Sequence, residues 1–342
     1  MSETTINVQD LNLTRKDFVP GNEVRWCPGC GDYSVLANMQ KTLPVMGVKK
    51  ENYAFISGIG CSSRFPYYMD TYGFHSIHGR APAIASGVKL ANPDLAVWII
   101  TGDGDGFSIG GNHMIHALRR NIDMNIMLFN NRIYGLTKGQ YSPTSQLGMK
   151  TKSSPFGSID RPFNPSAIAL GANATFIARA LDVDAKGLQE SIKRSQRHKG
   201  ASFIEVYQNC IIFNDGEFGA LENKATRPDN ALFVVHGEPM IFGKEQDKGI
   251  IMKDNHPKVV TLGGDWTEQD LLVHDETNPI ITNLLLEMTF DPKNPTPFGV
   301  LRAVDEPTYD GMLVDQIKEV TKINGKGTLE DLFYSGDVWE VK

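Results

Sequence analysis

A run of apolar residues long enough to cross a bilayer is missing from this chain. The longest wholly apolar stretches, such as Leu95–Ile100, fall far short of the roughly 20 residues that a helical span needs. A basic excess is missing too: Lys and Arg number 34 against 40 Asp and Glu, a formal charge of −6. The two signs are interspersed, which argues against a nucleic-acid-binding surface. The N-terminus holds Glu3 and Asp10 but no apolar core, so it does not read as a secretory signal. Internal repeats and low-complexity tracts are absent, which excludes collagen, coiled coil and wholesale disorder. With no membrane segment and no nucleic-acid signature, a cytoplasmic location is expected. There, four cysteines in 342 residues are not expected to pair as structural disulfides. What is present, 41% hydrophobic and 22% charged residues, suffices for one large or two modest globular domains with a sizeable core.

Residues 1–20 are polar, end at Pro20-Gly21, and read as an arm lying over the surface or a partner. From Arg25 to Gln208 strand and helix signals alternate, which predicts an α/β fold, a mostly parallel sheet with helices on both faces, over residues 21–215. Strands are predicted at Tyr53–Ser57, Leu95–Thr101, Met124–Phe129 and Ser202–Tyr207, and helices at Ala81–Leu90, Asn112–Arg120 and Leu181–Arg197. Gly102–Gly111 reads as a loop. Beyond Asp215, Pro and Gly recur often and only a helix around Gly311–Thr321 stands out. Residues 216–342 are therefore expected to be an extension that makes subunit contacts.

The segment Thr101-Gly-Asp-Gly-Asp-Gly-Phe107 sits where a buried strand hands over to a helix, the place where open α/β sheets bind ligands. Neither the dinucleotide fingerprint G-x-G-x-x-G nor an EF-hand loop fits, because Phe107 and Ser108 occupy positions those patterns need, and no Walker A sequence occurs. Asn130-Asn131 ends the next strand, 27 and 28 residues after Asp103. Adjacent parallel strands would bring an aspartate and an asparagine together at one sheet edge, a Mg²⁺ site with room for phosphate oxygens. An ordinary Gly-Asp-Gly turn is the bland alternative. The spacing resembles thiamine-diphosphate enzymes. That resemblance implies that Asp103, Asn131 and the carbonyl of Ile133 hold Mg²⁺, with Asn131 chosen over Asn130 from its distance to the carbonyl donor.

The cysteines follow the pattern C-x2-C-x30-C-x148-C, as Cys27-Pro-Gly-Cys30, Cys61 and Cys210. Four thiolates suit one [4Fe–4S] cluster or one structural Zn²⁺. A thioredoxin-like pair, or small buried apolar residues, would also fit the count. Beside a thiamine cofactor the cluster has a chemical use, one-electron oxidation, that redox-silent zinc lacks.

Taken together, Trp26-Cys-Pro-Gly-Cys-Gly31, Gly58-Ile-Gly-Cys-Ser62, His78-Gly-Arg80, Gly102-Asp-Gly-Asp105 and the segment Asn131–Thr137 resemble the β subunit of 2-oxoacid:ferredoxin oxidoreductases. The five motifs occur in the family's order over about residues 20–215. Arg64 and the tail Thr296-Pro-Phe-Gly-Val-Leu-Arg302 are most similar to the 2-oxoglutarate-specific members. The resemblance implies thiamine diphosphate, Mg²⁺ and one [4Fe–4S] cluster on Cys27, Cys30, Cys61 and Cys210. It implies that Ile59, Gly60, Cys61 and Ser62 line the thiamine site, with Gly104 and Asp105 near the diphosphate and Gly135 and Leu136 beyond the metal. His78 is a candidate catalytic hydrogen-bond donor, or else a satisfied structural histidine. Arg64 is a candidate for pairing with a substrate carboxylate, or else a surface ion-pair residue. The activity implied is CoA-dependent oxidative decarboxylation of 2-oxoglutarate to succinyl-CoA, or the reverse carboxylation. An α subunit in an αβ or α₂β₂ assembly, ferredoxin, coenzyme A and a 2-oxoacid are the implied partners. Pyruvate or branched-chain 2-oxoacids, a non-redox thiamine enzyme with structural zinc, and a non-catalytic interaction protein are the alternatives.

Overall fold

A computed structural model describes residues 11–341; residues 1–10 of the expected arm and Lys342 lie outside the described residues. The strands are β1 Tyr53–Ser57, β2 Tyr72–His75, β3 Ala96–Gly102, β4 Met124–Asn130, β5 Ile133–Tyr134, β6 Gln140–Tyr141, β7 Phe176–Leu181, β8 Ala201–Tyr207, β9 Ala231–Phe233, β10 Ile241–Phe242, β11 Lys248–Lys253, β12 His256–Thr261 and β13 Thr296–Ala303. The main sheet runs β2-β1-β3-β4-β8-β7-β13-β9. Its first six strands are mutually parallel, β13 joins β7 antiparallel, and β9 lies parallel to β13. This is an α/β fold with a mixed, mostly parallel sheet flanked by helices.

The central strands are buried at nearly every position and mostly apolar because both faces are covered, and the pleat divides their side chains between two cores. Val97, Ile99, Ile126 and Leu128 meet Ala81, Ala85, Met114 and Leu118 from helices Ala81–Ala91 and Gly111–Arg119. Trp98, Ile100, Met127 and Phe129 meet Val35, Met39, Leu188 and Ile192 from helices Asp32–Thr42 and Ala185–Arg197. Each of the fully buried Val, Leu, Ile, Met and Phe side chains contributes roughly 1.5–3 kcal/mol.

Two expected elements are revised. Residues Asp103–Phe107, read as loop, form a short buried helix whose first turn holds Asp103 and Asp105. Acidic side chains at a helix N-terminus offset the low helix propensity of the glycines. Leu181, read as the start of a helix, instead ends β7, and the helix begins at Ala185. The apolar Leu181 fits a helical period equally well, and sheet pairing with Tyr207 decides the matter. Beyond residue 215 the chain supplies β9 and β13 to the main sheet, a separate three-stranded antiparallel sheet β10-β11-β12, and helices Pro279–Met288 and Tyr309–Asn324.

The register sets the functional edge. Ser57 pairs with Ile100, Gly102 with Phe129, and Asn130 with Tyr207. The carboxyl ends of β1, β3, β4 and β8 therefore lie side by side, and the segments carrying Cys61, Asp103, Asn131 and Cys210 all leave the sheet at one edge.

Candidate functional site

Two cavities open along that edge and share a wall. The larger, about 430 Å³, is lined by Ile59, Gly60, Cys61 and Ser62 after β1, by Asp103, Gly104 and Asp105 after β3, and by Asn131, Ile133, Gly135 and Leu136 after β4. His78 completes it from the segment after β2. The smaller, about 220 Å³, is lined by all four cysteines, with Arg25, Trp26, Asp32, Arg64 and Lys138. Cys61, Asn131, Gly135 and Leu136 belong to both.

In the larger cavity Asp105 is a pin. Its Oδ1 accepts from the backbone N–H groups of Ile59 (3.1 Å) and Gly79 (2.7 Å) and from His78 Nδ1 (2.5 Å), and its Oδ2 accepts from Thr101 Oγ1 (2.7 Å). One buried carboxylate thus staples the segments after β1 and β2 to the end of β3, and it holds the His78 ring by Nδ1, leaving Nε2 facing the cavity. Gly58 has to be glycine here, because a Cβ would fall 1.9 Å from Asp105 Oδ2. Gly104 is constrained likewise: its Cβ would stand 2.2 Å from the ring of Tyr134, whose hydroxyl donates to the Gly104 carbonyl.

Asp103 is buried, and its Oδ2 accepts from Ser142 Oγ (2.5 Å) and Thr144 Oγ1 (2.6 Å). Burial pushes its carboxyl up to about 6, against those two hydrogen bonds. A carboxylate so placed gains from a neighbouring cation. The two asparagines have different surroundings. Asn130 is buried in a side-chain network, its Nδ2 donating to Glu205 Oε1 and its Oδ1 accepting from Thr144. Asn131 stands on the cavity wall, its Oδ1 held only by the Ile133 N–H (3.2 Å). The two are adjacent at the end of β4, where successive side chains point to opposite sides, and Arg132, which follows them, turns the chain with φ +55°. Asp103, Asn131 and Ile133 offer carboxylate, amide and carbonyl oxygens in one cavity, a hard donor set that suits Mg²⁺.

The Cys27–Cys30 turn closes through a Cys30 N–H to Cys27 carbonyl bond of 3.0 Å, with Gly29 at φ +84°. Cys210 and Cys61 converge from other strands: a Cβ at Gly135 would lie 3.5 Å from one sulfur and 3.7 Å from the other. All four thiols are free. Burial raises the Cys30, Cys61 and Cys210 thiols above their ordinary range, Cys61 to about 12, with Asp32 and neighbouring cysteines adding to the effect at Cys30 and Cys61. Metal binding removes such protons outright. Among the described residues no group of three or more His, Cys, Asp or Glu side chains is spaced to hold a single ion. Four cysteine sulfurs line one cavity, a donor type that suits either an iron–sulfur cluster or a zinc ion.

Arg64 lines the cysteine cavity, not the larger one, and its Nη1 donates to the Arg25 carbonyl (2.7 Å). Several site residues escaped the sequence reading. Ser142 and Thr144 hold Asp103; their signal was the hydroxyl-rich turn Ser142-Pro-Thr-Ser145. Trp26, part of the cysteine motif but given no role there, donates from Nε1 to the Cys61 carbonyl at 2.7 Å. Gln208 donates from Nε2 to Cys30 Sγ at 3.3 Å, and nothing in its local sequence marks it.

Known proteins share these features. Residues 58–206 match the family described as thiamine pyrophosphate enzyme, C-terminal TPP binding domain. The 2-oxoglutarate oxidoreductase subunit KorB of Mycobacterium tuberculosis is 50% identical over 330 residues, 95% of this chain and 88% of that one. The 2-oxoacid:ferredoxin oxidoreductase subunit beta of Saccharolobus solfataricus is 45% identical over 192 residues, 56% of this chain and 63% of that one. A solved structure of 2-oxoglutarate:ferredoxin oxidoreductase from Magnetococcus marinus, with 2-oxoglutarate, coenzyme A and succinyl-CoA bound, superposes with a TM-score of 0.76 at 32% identity. It covers 95% of this chain and 97% of that one.

Proposed function

Since this chain belongs to the β subunits of the 2-oxoacid:ferredoxin oxidoreductases, a family of thiamine-dependent enzymes, we propose that it acts on 2-oxoglutarate with coenzyme A. The products are succinyl-CoA and CO₂, or the reaction runs in reverse as a reductive carboxylation. The 2-oxoglutarate named for the Mycobacterium relative, and the ligands in the Magnetococcus structure, support this substrate over pyruvate.

The observation that carries the reading is the wall common to the two cavities, made of Cys61, Asn131, Gly135 and Leu136. When bound, thiamine diphosphate supplies the nucleophilic carbon and electron sink for decarboxylation, and a [4Fe–4S] cluster takes up electrons singly. Asp103, Asn131 and the Ile133 carbonyl would hold Mg²⁺, and Cys27, Cys30, Cys61 and Cys210 would hold the cluster. Ile59, Gly60 and Ser62 shape the thiamine pocket, and Gly104 lets the backbone approach the diphosphate. Asp105, by accepting from Nδ1, orients His78 so that Nε2 faces cofactor or substrate, as an acceptor in the neutral ring and as a hydrogen-bond donor in the imidazolium form. Arg64, fixed by the Arg25 carbonyl, acts at the edge of the cysteine cavity.

An α subunit completes the enzyme. Exposed Ile77, Ile84 and Ile109, on segments that flank His78-Gly79, form an apolar border suited to it. Residues 216–342 extend this contact, and ferredoxin receives the electrons. The test is anaerobic purification of the αβ complex. Visible absorption that bleaches on reduction, with ferredoxin reduction that requires both 2-oxoglutarate and coenzyme A, is the expected outcome. A colourless, zinc-containing sample that releases CO₂ without reducing ferredoxin would overturn it.

A further inference from the structure

Reducing a thiolate-bound iron–sulfur cluster adds negative charge that spreads onto its sulfurs, so a group that donates a hydrogen bond to one of them favours the reduced form. Among the described residues one side chain donates to a cysteine sulfur: Gln208, whose Nε2 lies 3.3 Å from Cys30 Sγ. Gln208 directly follows β8, precedes Cys210 by two residues and is 1% exposed. Its backbone N–H donates to the Asn130 carbonyl at 3.1 Å, which fixes it to the end of β4, and Nε2 also donates to the Asn209 carbonyl. Gly31 leaves the space that the side chain fills, since a Cβ there would fall 2.9 Å from Gln208 Cγ and nearer still to Asp182 Oδ2.

Only one end of this amide is used. Nε2 has two acceptors, whereas Oε1 is buried without a hydrogen-bond partner among the described residues. Buried polar atoms are ordinarily paired, and an apolar side chain of similar size would fill the space without stranding an oxygen. What the amide offers in exchange is its contact with sulfur. A thiolate ligand carries no proton and can only accept, which suits the nitrogen end.

We propose, on the reading above that the four cysteines hold a [4Fe–4S] cluster, that Gln208 is a positioning residue for electron uptake: its N–H on Cys30 Sγ raises the cluster's reduction potential. The step is a one-electron reduction, in which an electron enters the oxidised cluster, no bond breaks and no proton moves.

The test is an EPR-monitored potentiometric titration of the anaerobically reconstituted αβ holoenzyme, wild type against Gln208→Leu. The leucine variant should move the midpoint to more negative potential by roughly a tenfold change in the oxidised-to-reduced ratio, about 59 mV for one electron. Asn209→Ala is the control: it removes the side-chain bonds to Asp215 (2.8 Å) and to the Gly216 N–H (3.1 Å), loosening the same turn while leaving the amide on the sulfur. Its midpoint should stay within about a twofold change of that ratio, ~18 mV. A Gln208→Leu midpoint equally close to wild type, or shifted to positive potential, would overturn the role of Gln208 alone. So would Asn209→Ala moving the midpoint as far as Gln208→Leu, since the potential would then follow the packing of the turn. A wild-type holoenzyme without a paramagnetic signal on reduction would overturn the proposed function, and the role of Gln208 with it. If Gln208→Leu fails to retain iron, the unbranched Gln208→Met takes its place, with the same negative shift expected and an unchanged midpoint again overturning the proposal.

Discussion

Glu205 and Arg179 form the most deeply buried ion pair among the described residues, and Glu205→Gln tests what it holds together. The two lie opposite each other on β8 and β7, with Arg179 Nε 2.9 Å from Glu205 Oε2 and side-chain exposures of 0% and 1%. Glu205 Oε1 also accepts from Asn130 Nδ2 (2.8 Å), and Oε2 from Ser166 Oγ (2.7 Å). Arg179 Nη1 donates to Thr289 Oγ1 (2.9 Å) and the Pro297 carbonyl (3.3 Å). A single pair therefore ties the asparagine turn to the C-terminal segment. Glutamine keeps the volume but strands the guanidinium charge, and losing one partner of a buried pair costs about 3–5 kcal/mol. The Tyr207 ring, 5.3 Å from Arg179 Cζ, offsets a part of that, about 0.5–2 kcal/mol. A net loss of about 3 kcal/mol lowers the melting temperature by roughly 4 °C in a chain of this size. Thermal melts followed by circular dichroism measure it. The double variant Glu205→Leu, Arg179→Met should regain most of the loss, because apolar replacement of a whole buried pair is often neutral. A melting temperature within about 1 °C of wild type for Glu205→Gln would refute the reasoning. So would a double variant no more stable than the single one, which would mean that the hydrogen bonds to Asn130 and Ser166 matter more than charge balance.

Three further outcomes are expected. Asn131→Ala should weaken Mg²⁺-dependent thiamine-diphosphate binding by roughly tenfold or more while leaving the apo chain's melting temperature unchanged. Asn130→Ala, which breaks a buried network, should cost about 1–3 kcal/mol of stability, and calorimetric titration with parallel melts separates the two. Gly104→Ala drives a methyl group into the Tyr134 ring and should abolish cofactor binding, with partial recovery in Gly104→Ala, Tyr134→Leu. Stability should also fall in mild acid because of His274. It is buried, with Nε2 donating to the Val300 carbonyl at 2.8 Å, and burial holds its imidazole below the ordinary range. The unfolded chain then binds the proton that the folded chain refuses, so this contribution is present above about pH 6.5 and fades as the pH drops below it. His274→Gln should flatten that part of a melting-temperature-against-pH curve, and an unchanged slope would count against the assignment.

The motifs were legible because each concentrates chemistry in a few adjacent residues. Gly-Asp-Gly after an apolar strand, an asparagine pair at the end of the next, and a Cys-Pro-Gly-Cys turn carry local constraints that no neighbour has to supply. Strand signals at β1, β3, β4 and β8 were equally plain, since burial on both faces favours runs that are mostly apolar. Other elements were hidden for physical reasons. In β13, Pro297, Gly299 at φ +107° and a register shift between Val300 and Arg302 break the two-residue alternation, and its partner β7 lies more than a hundred positions earlier. β9 is three residues long, too short to show a period.

By itself the sequence determined which groups are available: four thiols, a carboxylate and an asparagine on successive strand ends, and enough apolar surface to bury a parallel sheet. Only the tertiary structure decided their relations. Strand order set β1, β3, β4 and β8 in one row, so Cys61, Asn131, Gly135 and Leu136 became one wall between two cavities. At the end of β4, Asn130 entered a buried network while Asn131 came to stand on the cavity wall, and a hydrogen bond to the Arg25 carbonyl held Arg64 at the cysteine cavity. Such outcomes depend on contacts between residues far apart in the chain, and no local pattern encodes a distance of that kind.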